Sequence, residues 1–265
     1  MRTLVAIPVY NEEKYLSGVL TRVREQGHDI LVIDDGSTDA TPAILAKERG
    51  IALIRQPRNV GYGHSIRASF AYAVHERYDL LVTMDCDEQH EPGEIPLFLA
   101  AADRGDADIV SGSRYMSVVA GNDTPPPDRR RINHLITAEI NDRLAAAMGL
   151  ELTDAFCGFK AHRVEALARL DLSENGYAFP MQLWAQAAAA KLRVRELPVK
   201  LIYNDLSRTF GGMLDDPDRR LAHYRAVLHR ELVRLRRHLP AIALAGLEAR
   251  PACDRGEDRR ACGCS

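Results

Sequence analysis

The chain's 265 residues suffice for one large domain or two small ones, with a core that removes roughly 70–75% of the unfolded surface from water. Hydrophobic residues at 46%, charged residues at 27% and a net charge of -2 at pH 7 exclude a disordered or collagen-like chain, and no nucleic-acid partner is expected. The apolar run 241–247 is far short of the roughly 20 residues of a membrane helix, and a strand begins at Leu4 without a signal-peptide pattern, so a cytoplasmic location is expected.

Runs suited to buried parallel strands recur at 4–9, 30–33, 51–54, 80–84 and 109–110, separated by stretches of helical length. They predict an α/β fold with a doubly wound, mostly parallel sheet and flanking helices. Leu16, Val19, Leu20 and Val23 give the first helix an apolar face, with Asn11 as N-cap and Glu12 and Glu13 in the first turn. Further helices are expected through Ile44 and Leu45, through Ile66, Phe70, Ala73 and Val74, and through Ile95, Leu97, Phe98 and Ala101. The segment 121–131, with three successive prolines and three successive arginines, suits a mobile loop able to close over a substrate. A helix over 136–148, an Ala-rich helix behind Trp184 that packs in the core, and an edge or returning strand around Pro198 follow.

Asp215 or Asp216 with Pro217 opens a last helix, whose stripe Leu221, Tyr224, Leu228, Leu232, Leu235 and Leu239 is surrounded by arginines. Such a helix over 217–239 suits peripheral contact with anionic lipid or packing on the domain. The expected organisation is an α/β domain over 1–212, a basic helical extension over 213–250 and a disordered tail over 251–265. The five cysteines are too few and too clustered for a disulfide framework.

Ligands of a parallel α/β sheet collect beyond the carboxyl ends of its strands. Those ends carry Pro8, Tyr10 and Glu12, then Asp34 and Asp35, then Asp85, Cys86, Asp87 and Gln89. Neither a dinucleotide-binding glycine triplet nor a P-loop is present, which removes nicotinamide enzymes and ordinary nucleoside triphosphatases. Asp34 and Asp35 can accept hydrogen bonds from ribose hydroxyls or a base. Asp85 and Asp87 fall on one side of a strand end, where hard oxygens, flanked by Gln89, suit Mg²⁺ or Mn²⁺ against a diphosphate. Gly61 and Gly63 lie in a turn whose N–H groups could approach a base or phosphate. Arg114 suits a phosphate clamp, and His90 lies beside the carboxylates.

In order along the chain stand IPVYNEE at 7–13, VIDDGSTDAT at 32–41, RNVGYGHS at 58–65, MDCDEQHEP at 84–92, GSRY at 112–115, DAFCGFK at 154–160, GYAFPMQ at 176–182 and ELPV at 196–199. This series resembles the family 2 glycosyltransferases of GT-A fold, in particular their polyprenyl-phosphate, dolichol-phosphate mannose synthase-like branch. The resemblance implies a metal-dependent, inverting transfer of a hexose from a nucleotide diphosphate sugar, of GDP-mannose or UDP-glucose type, to a polyprenyl phosphate. It implies that Pro8, Tyr10, Glu12 and Asp35 line the nucleotide pocket, that Asp85, Asp87 and Gln89 hold Mg²⁺ or Mn²⁺, and that Arg114 contacts phosphate. An ionised lipid phosphate needs no base; an acceptor hydroxyl would need one, for which Asp154 is the first candidate. With a lipid acceptor, the protein would work peripherally at the inner face of the membrane.

Departures fall on the acceptor side. Beyond ELPV, Asn204, Ser207, Thr209 and Phe210 stand where the resemblance expects an arginine, a glycine and a serine–lysine pair. Asn133, His134 and Thr137 stand where an arginine and a serine are expected. The acceptor-phosphate candidates are therefore Arg114, Arg130, Arg131 and Arg208. A small soluble acceptor, a nucleotidyltransferase and a non-catalytic sugar-nucleotide-binding protein are the alternatives; the loop after the first strand lacks the Gly-rich basic pattern of a nucleotidyltransferase.

Overall fold

The computed structural model describes residues 1–116, 125–203 and 209–247. The strands β1 (Thr3–Val9), β2 (Asp29–Asp34), β3 (Ala52–Arg55), β4 (Leu80–Thr83), β5 (Ile109–Ser113), β6 (Lys160–Arg163) and β7 (Val194–Pro198) form one sheet, in the order β3-β2-β1-β4-β6-β5-β7. All pairings are parallel except those of β6, which runs antiparallel to β4 and β5. Leu4 and Ala6 face one packed layer, while Val5, Ile7 and Val9 face the other. Burial on both sides explains why the central strands read as continuous apolar runs rather than alternating ones.

Among the described residues the α-helices are α1 (Leu16–Arg24), α2 (Thr41–Leu45), α3 (Tyr62–His75), α4 (Ile95–Asp103), α5 (Pro127–Met148), α6 (Val164–Leu167), α7 (Phe179–Ala189) and α8 (Pro217–Arg234). Helices α1 and α4 cover one face of the sheet; α3, α5, α7 and α8 build the other. Trp184 of α7 is fully buried, as expected, and its indole N–H donates to Ala155 O at 2.9 Å.

Three local features differ from the sequence reading, and a fourth follows one of its two alternatives. Asn11 does not cap α1: it adopts φ 55° and its amide oxygen accepts from Thr38 N at 2.8 Å, so the helix begins only at Leu16. Arg129, Arg130 and Arg131 are not in a loop, because Pro127 begins α5, where its fixed φ and missing donor cost nothing; residues 121–124 lie outside the described chain. Strand β6 was concealed by its composition, since Lys160 and His162 are charged or titratable residues in a strand wedged between two others. Burial holds His162 neutral, with its pKa lowered to about 3. Finally, the stripe on α8 is covered: Tyr224, Val227, Leu228 and Leu232 pack in the core with α5 and α7. Only the outer, basic surface of α8 is left for other contacts.

Candidate active site

The sheet order reverses between β1 and β4, so their carboxyl ends diverge from their crossover helices and leave a crevice, the usual ligand site of a doubly wound sheet. A cavity of about 740 Å³ opens there, within the range of small-molecule sites. Pro8, Tyr10, Glu12, Asp35, Asp85, Cys86, Asp87 and Arg114 all border it.

Asp35 is buried, and its carboxylate accepts from Val60 N at 2.9 Å and Gly61 N at 2.8 Å. The Gly61 N–H is therefore spent on Asp35 and is not presented to a phosphate. Gly61 has φ 121°, and a Cβ there would stand 2.4 Å from Asn175 O; at Gly63 it would stand 2.5 Å from Glu174 O. These glycines serve close passage of the 174–176 segment, and Gly63 does not border the cavity. Asp34 is also misplaced for a ligand. It is fully buried, accepts from Ser37 N at 2.9 Å and pairs with Arg55 Nε at 3.2 Å, away from the cavity. Cys86 borders the cavity, but its side chain belongs to the core.

The segment 85–90 is held from beneath. His90 is buried and its pKa is lowered to about 4, desolvation outweighing the attraction of Asp87. The neutral ring accepts the Asp85 N–H at Nδ1 (3.0 Å), which leaves its proton on Nε2. His90 thus supports the backbone of the carboxylate pair. The Asp85 carboxylate rests on Gly158, where a Cβ would lie 2.5 Å from its Oδ2. Burial and the charge of Asp85 hold the Tyr62 phenol well above its ordinary pKa. Gln89 does not border the cavity; its N–H donates to Asp87 Oδ1 at 3.1 Å and closes the turn.

Among the described residues no group of three or more His, Cys, Asp or Glu is placed to hold a metal ion by itself. Two carboxylates remain, Asp85 and Asp87, both on the cavity. That donor set fits Mg²⁺ or Mn²⁺, hard ions commonly held by one or two carboxylates together with substrate phosphates and water.

Arg114 follows β5 and is clamped by Asp154: Nε to Oδ2 at 2.6 Å, Nη2 to Oδ1 at 3.0 Å, and its own N–H to Oδ2 at 3.2 Å. Asn133 Nδ2 and Phe156 N donate to the same carboxylate at 2.8 and 3.1 Å. Burial alone would raise the pKa of Asp154, but Arg114 and Asn133 outweigh it and pull it down to about 2. Asp154 is fully buried, saturated with donors and strongly acidic, which is the opposite of a general base. Its work is to orient Arg114. Glu196 of β7 supports it in turn, accepting from Thr153 N and Oγ1, both at 2.8 Å, and from Asp154 N at 3.1 Å. Lys160 is buried beside this network, and its Nζ donates to Cys157 O.

Arg129, Phe210, Arg220, Tyr177 and Tyr224 border the same cavity. Arg130 and Arg131 turn away, toward His134 Nε2 (3.4 Å) and Asp218 Oδ1 (3.3 Å). Arg208 lies outside the described residues. Of the triplet it is Arg129, not Arg130 or Arg131, that borders the cavity, and a signal for this was present in the sequence. Ile132, Asn133, Ile136, Thr137 and Ile140 define the buried face of α5, and position 129 stands one turn before 133 on that face. For Arg220, three residues into α8, the apolar stripe offered no comparable pointer.

Residues 4–170 match glycosyl transferase family 2. The polyprenol monophosphomannose synthase of Mycolicibacterium smegmatis is 34% identical over 216 residues, covering 77% of this chain and 79% of that protein. The undecaprenyl-phosphate mannosyltransferase of Micrococcus luteus is 31% identical over 227 residues, covering 82% and 90%. Among solved structures, glucosyl-3-phosphoglycerate synthase of Mycobacterium tuberculosis, in complex with Mn²⁺, uridine diphosphate and phosphoglyceric acid, superposes with a TM-score of 0.64 at 19% identity, covering 88% of this chain and 78% of that one. That likeness establishes the GT-A-like fold. The matched motifs and the fold that carries them agree: the chain belongs to glycosyl transferase family 2 and is a glycosyltransferase.

Proposed function

We propose that the protein is a metal-dependent, inverting hexosyltransferase that uses a nucleotide diphosphate sugar of GDP-mannose or UDP-glucose type and transfers the hexose to a polyprenyl phosphate. The observation that carries this reading is that one cavity joins an acidic strand-end floor to a wall of arginines and aromatic rings. A metal-bound diphosphate and an anionic acceptor with an apolar chain call for that polarity. The polyprenol monophosphomannose and undecaprenyl-phosphate mannosyltransferase names of the two sequence relatives support a hexose as the transferred group and a polyprenyl phosphate as the acceptor.

In this reading Pro8, Tyr10, Glu12 and Asp35 border the nucleotide, and Asp85 and Asp87 hold Mg²⁺ or Mn²⁺. The ion supplies Lewis-acid neutralisation of the charge on the departing diphosphate. Arg114, locked by Asp154 before substrate arrives, adds a cation that needs no reorganisation as that charge develops. An acceptor phosphate oxygen attacks the anomeric carbon from the face opposite the diphosphate. The bond from that carbon to the diphosphate oxygen breaks, the nucleoside diphosphate leaves, and configuration inverts. The attacking oxygen is already ionised near neutral pH, so no proton has to be removed by Asp154.

Among the described residues no helix is long and apolar enough to cross a membrane, and a lipid acceptor would bring the protein to the cytoplasmic face of the membrane as a peripheral visitor. The test is release of nucleoside diphosphate from a panel of UDP- and GDP-sugars with Mg²⁺ or Mn²⁺, with and without a short polyprenyl phosphate. Release stimulated by the lipid and stopped by EDTA is expected. Stimulation by soluble phosphorylated acceptors alone would replace the acceptor, and failure to bind any sugar nucleotide would end the reading.

A further inference from the structure

We propose that Tyr62 is a positioning residue for the metal site: its hydroxyl donates to the Asp85 carboxylate and sets the orientation in which that carboxylate meets the ion. The inference rests on the proposed reading of Asp85 and Asp87 as the residues that hold Mg²⁺ or Mn²⁺. It also gives the glycine-bearing motif at 58–65 a use other than phosphate binding.

Tyr62 is the first residue of α3 and borders the same cavity as Asp85. Its side chain is hydrogen-bonded to the Asp85 carboxylate, and an ionised carboxylate only accepts, so the phenol is the donor. The ring is set by Tyr177, which stacks on it with centroids 6.0 Å apart and planes 12° from parallel. Swinging the Tyr62 ring away from Asp85 would break that stack.

The glycines on either side of Tyr62 bring these groups together. Val60 N and Gly61 N, just ahead of α3, donate to Asp35 at 2.9 and 2.8 Å, and His64 N in its first turn donates to Asn175 O at 3.1 Å. A Cβ at position 61 would stand 2.4 Å from Asn175 O, and one at position 63 would stand 2.5 Å from Glu174 O. Bare backbone at both positions lets the start of α3 lie against the 174–176 segment, which leads directly into Tyr177. Side chains there would push the two tyrosines apart.

Asp85 is thereby constrained in three ways. His90 Nδ1 accepts its backbone N–H at 3.0 Å and fixes the main chain. Gly158 lies beneath the carboxylate, where a Cβ would stand 2.5 Å from Oδ2 and 2.8 Å from Oδ1, which sets its depth. The Tyr62 hydrogen bond acts on the rotation of the carboxylate. Partners of this kind orient metal-holding groups, and their loss typically costs roughly 10–100-fold in metal affinity.

The test is calorimetric titration of the full chain with GDP and with UDP, in Mn²⁺ and in EDTA, together with the electron paramagnetic resonance spectrum of Mn²⁺ in the nucleotide complex. Wild type is compared with Y62F, which keeps the ring and removes the hydroxyl, with Y62L, which removes both, and with Y78F. Tyr78 donates to Asp29 at 2.9 Å, at the start of β2 and so at the sheet end opposite the cavity. Expected in Y62F are a tenfold or greater loss of nucleotide affinity in Mn²⁺, affinity in EDTA within twofold of wild type, and an altered manganese spectrum. Y62L should lose at least as much in Mn²⁺, and Y78F should match wild type. A ring that served only as packing would leave Y62F like wild type while Y62L lost affinity, and that pattern overturns the inference. So does an equal loss by Y62F in Mn²⁺ and in EDTA, or an equal loss in Y78F. Wild type that binds neither nucleotide more tightly in Mn²⁺ than in EDTA would instead overturn the proposed function, and the inference with it.

Discussion

The two sides of the cavity are built in different ways. The carboxylate floor comes from strand ends, and its backbone is fixed by parallel pairing of β1 with β2 and β4 and by buried bonds such as His90 to Asp85 N. The arginine wall is assembled from α5, α8 and the 209–211 segment, pieces far apart in the chain that contacts of Asp128, Phe210 and Tyr177 help to join. A sheet edge can hold a metal and a diphosphate at fixed spacing.

That contrast can be broken most severely at Asp87. Asp87→Asn removes one of the two carboxylates available to a metal, and transfer should fall by about 10³-fold, with prenyl phosphate binding retained; parallel loss of both in kinetics and calorimetry would deny that the two ends are separable. Gly158→Ala acts on the same end without touching charge. Its Cβ would stand 2.5 Å from Asp85 Oδ2, so metal-dependent nucleotide affinity should fall about tenfold with little change in the acceptor constant, and an unchanged affinity would show that Asp85 can give way.

Between the ends, Asp154→Asn sharpens the account of Arg114. The folded pKa of Asp154 is depressed to about 2 from an ordinary 3.8, so its contribution to stability is complete above about pH 4 and is lost as pH falls from about 4 toward 2. The variant should lose stability at pH 7 because Arg114 is left buried without its counter-ion, and its acid unfolding curve should lose this component; an acid limb identical to wild type would remove Asp154 from it. The smallest effect is expected at Glu139→Gln, on the outer seam of α5 and α8, where Glu139 meets Arg225 at 2.8 Å and His229 at 2.5 Å. Thermal unfolding should report about 1 kcal/mol or less, with transfer unchanged.

What was legible in the sequence follows the same division. Strand-end residues are addressed by a simple rule, because apolar runs mark the strands and the topology sends ligands to their carboxyl ends; Asp35, Asp85 and Asp87 border the cavity as that rule expects. Within that region Asp34, Gly63 and Gln89 do not border the cavity, and Gly61 borders it with its N–H turned to Asp35; which way a side chain or N–H points is decided by backbone pairing and not by residue type. Strand β6 escaped because Lys160 and His162 are polar side chains buried where an apolar run would mark a central strand. On the helical wall, the prolines before Arg129 resembled a loop and concealed a helix start, while Arg220 stood among arginines that face solvent. Only the meeting of α5 with α8 singles it out.

The central claim, that the strand-end carboxylates and the arginine wall act on one substrate complex, is tested most directly by a crystal grown with Mn²⁺ and a nucleoside diphosphate and measured at the manganese absorption edge. The account predicts an anomalous peak bound by Asp85 and Asp87, with the diphosphate running from it toward Arg114. A nucleoside diphosphate bound in the cavity with manganese held by other residues, or with its phosphates remote from Arg114, would contradict it.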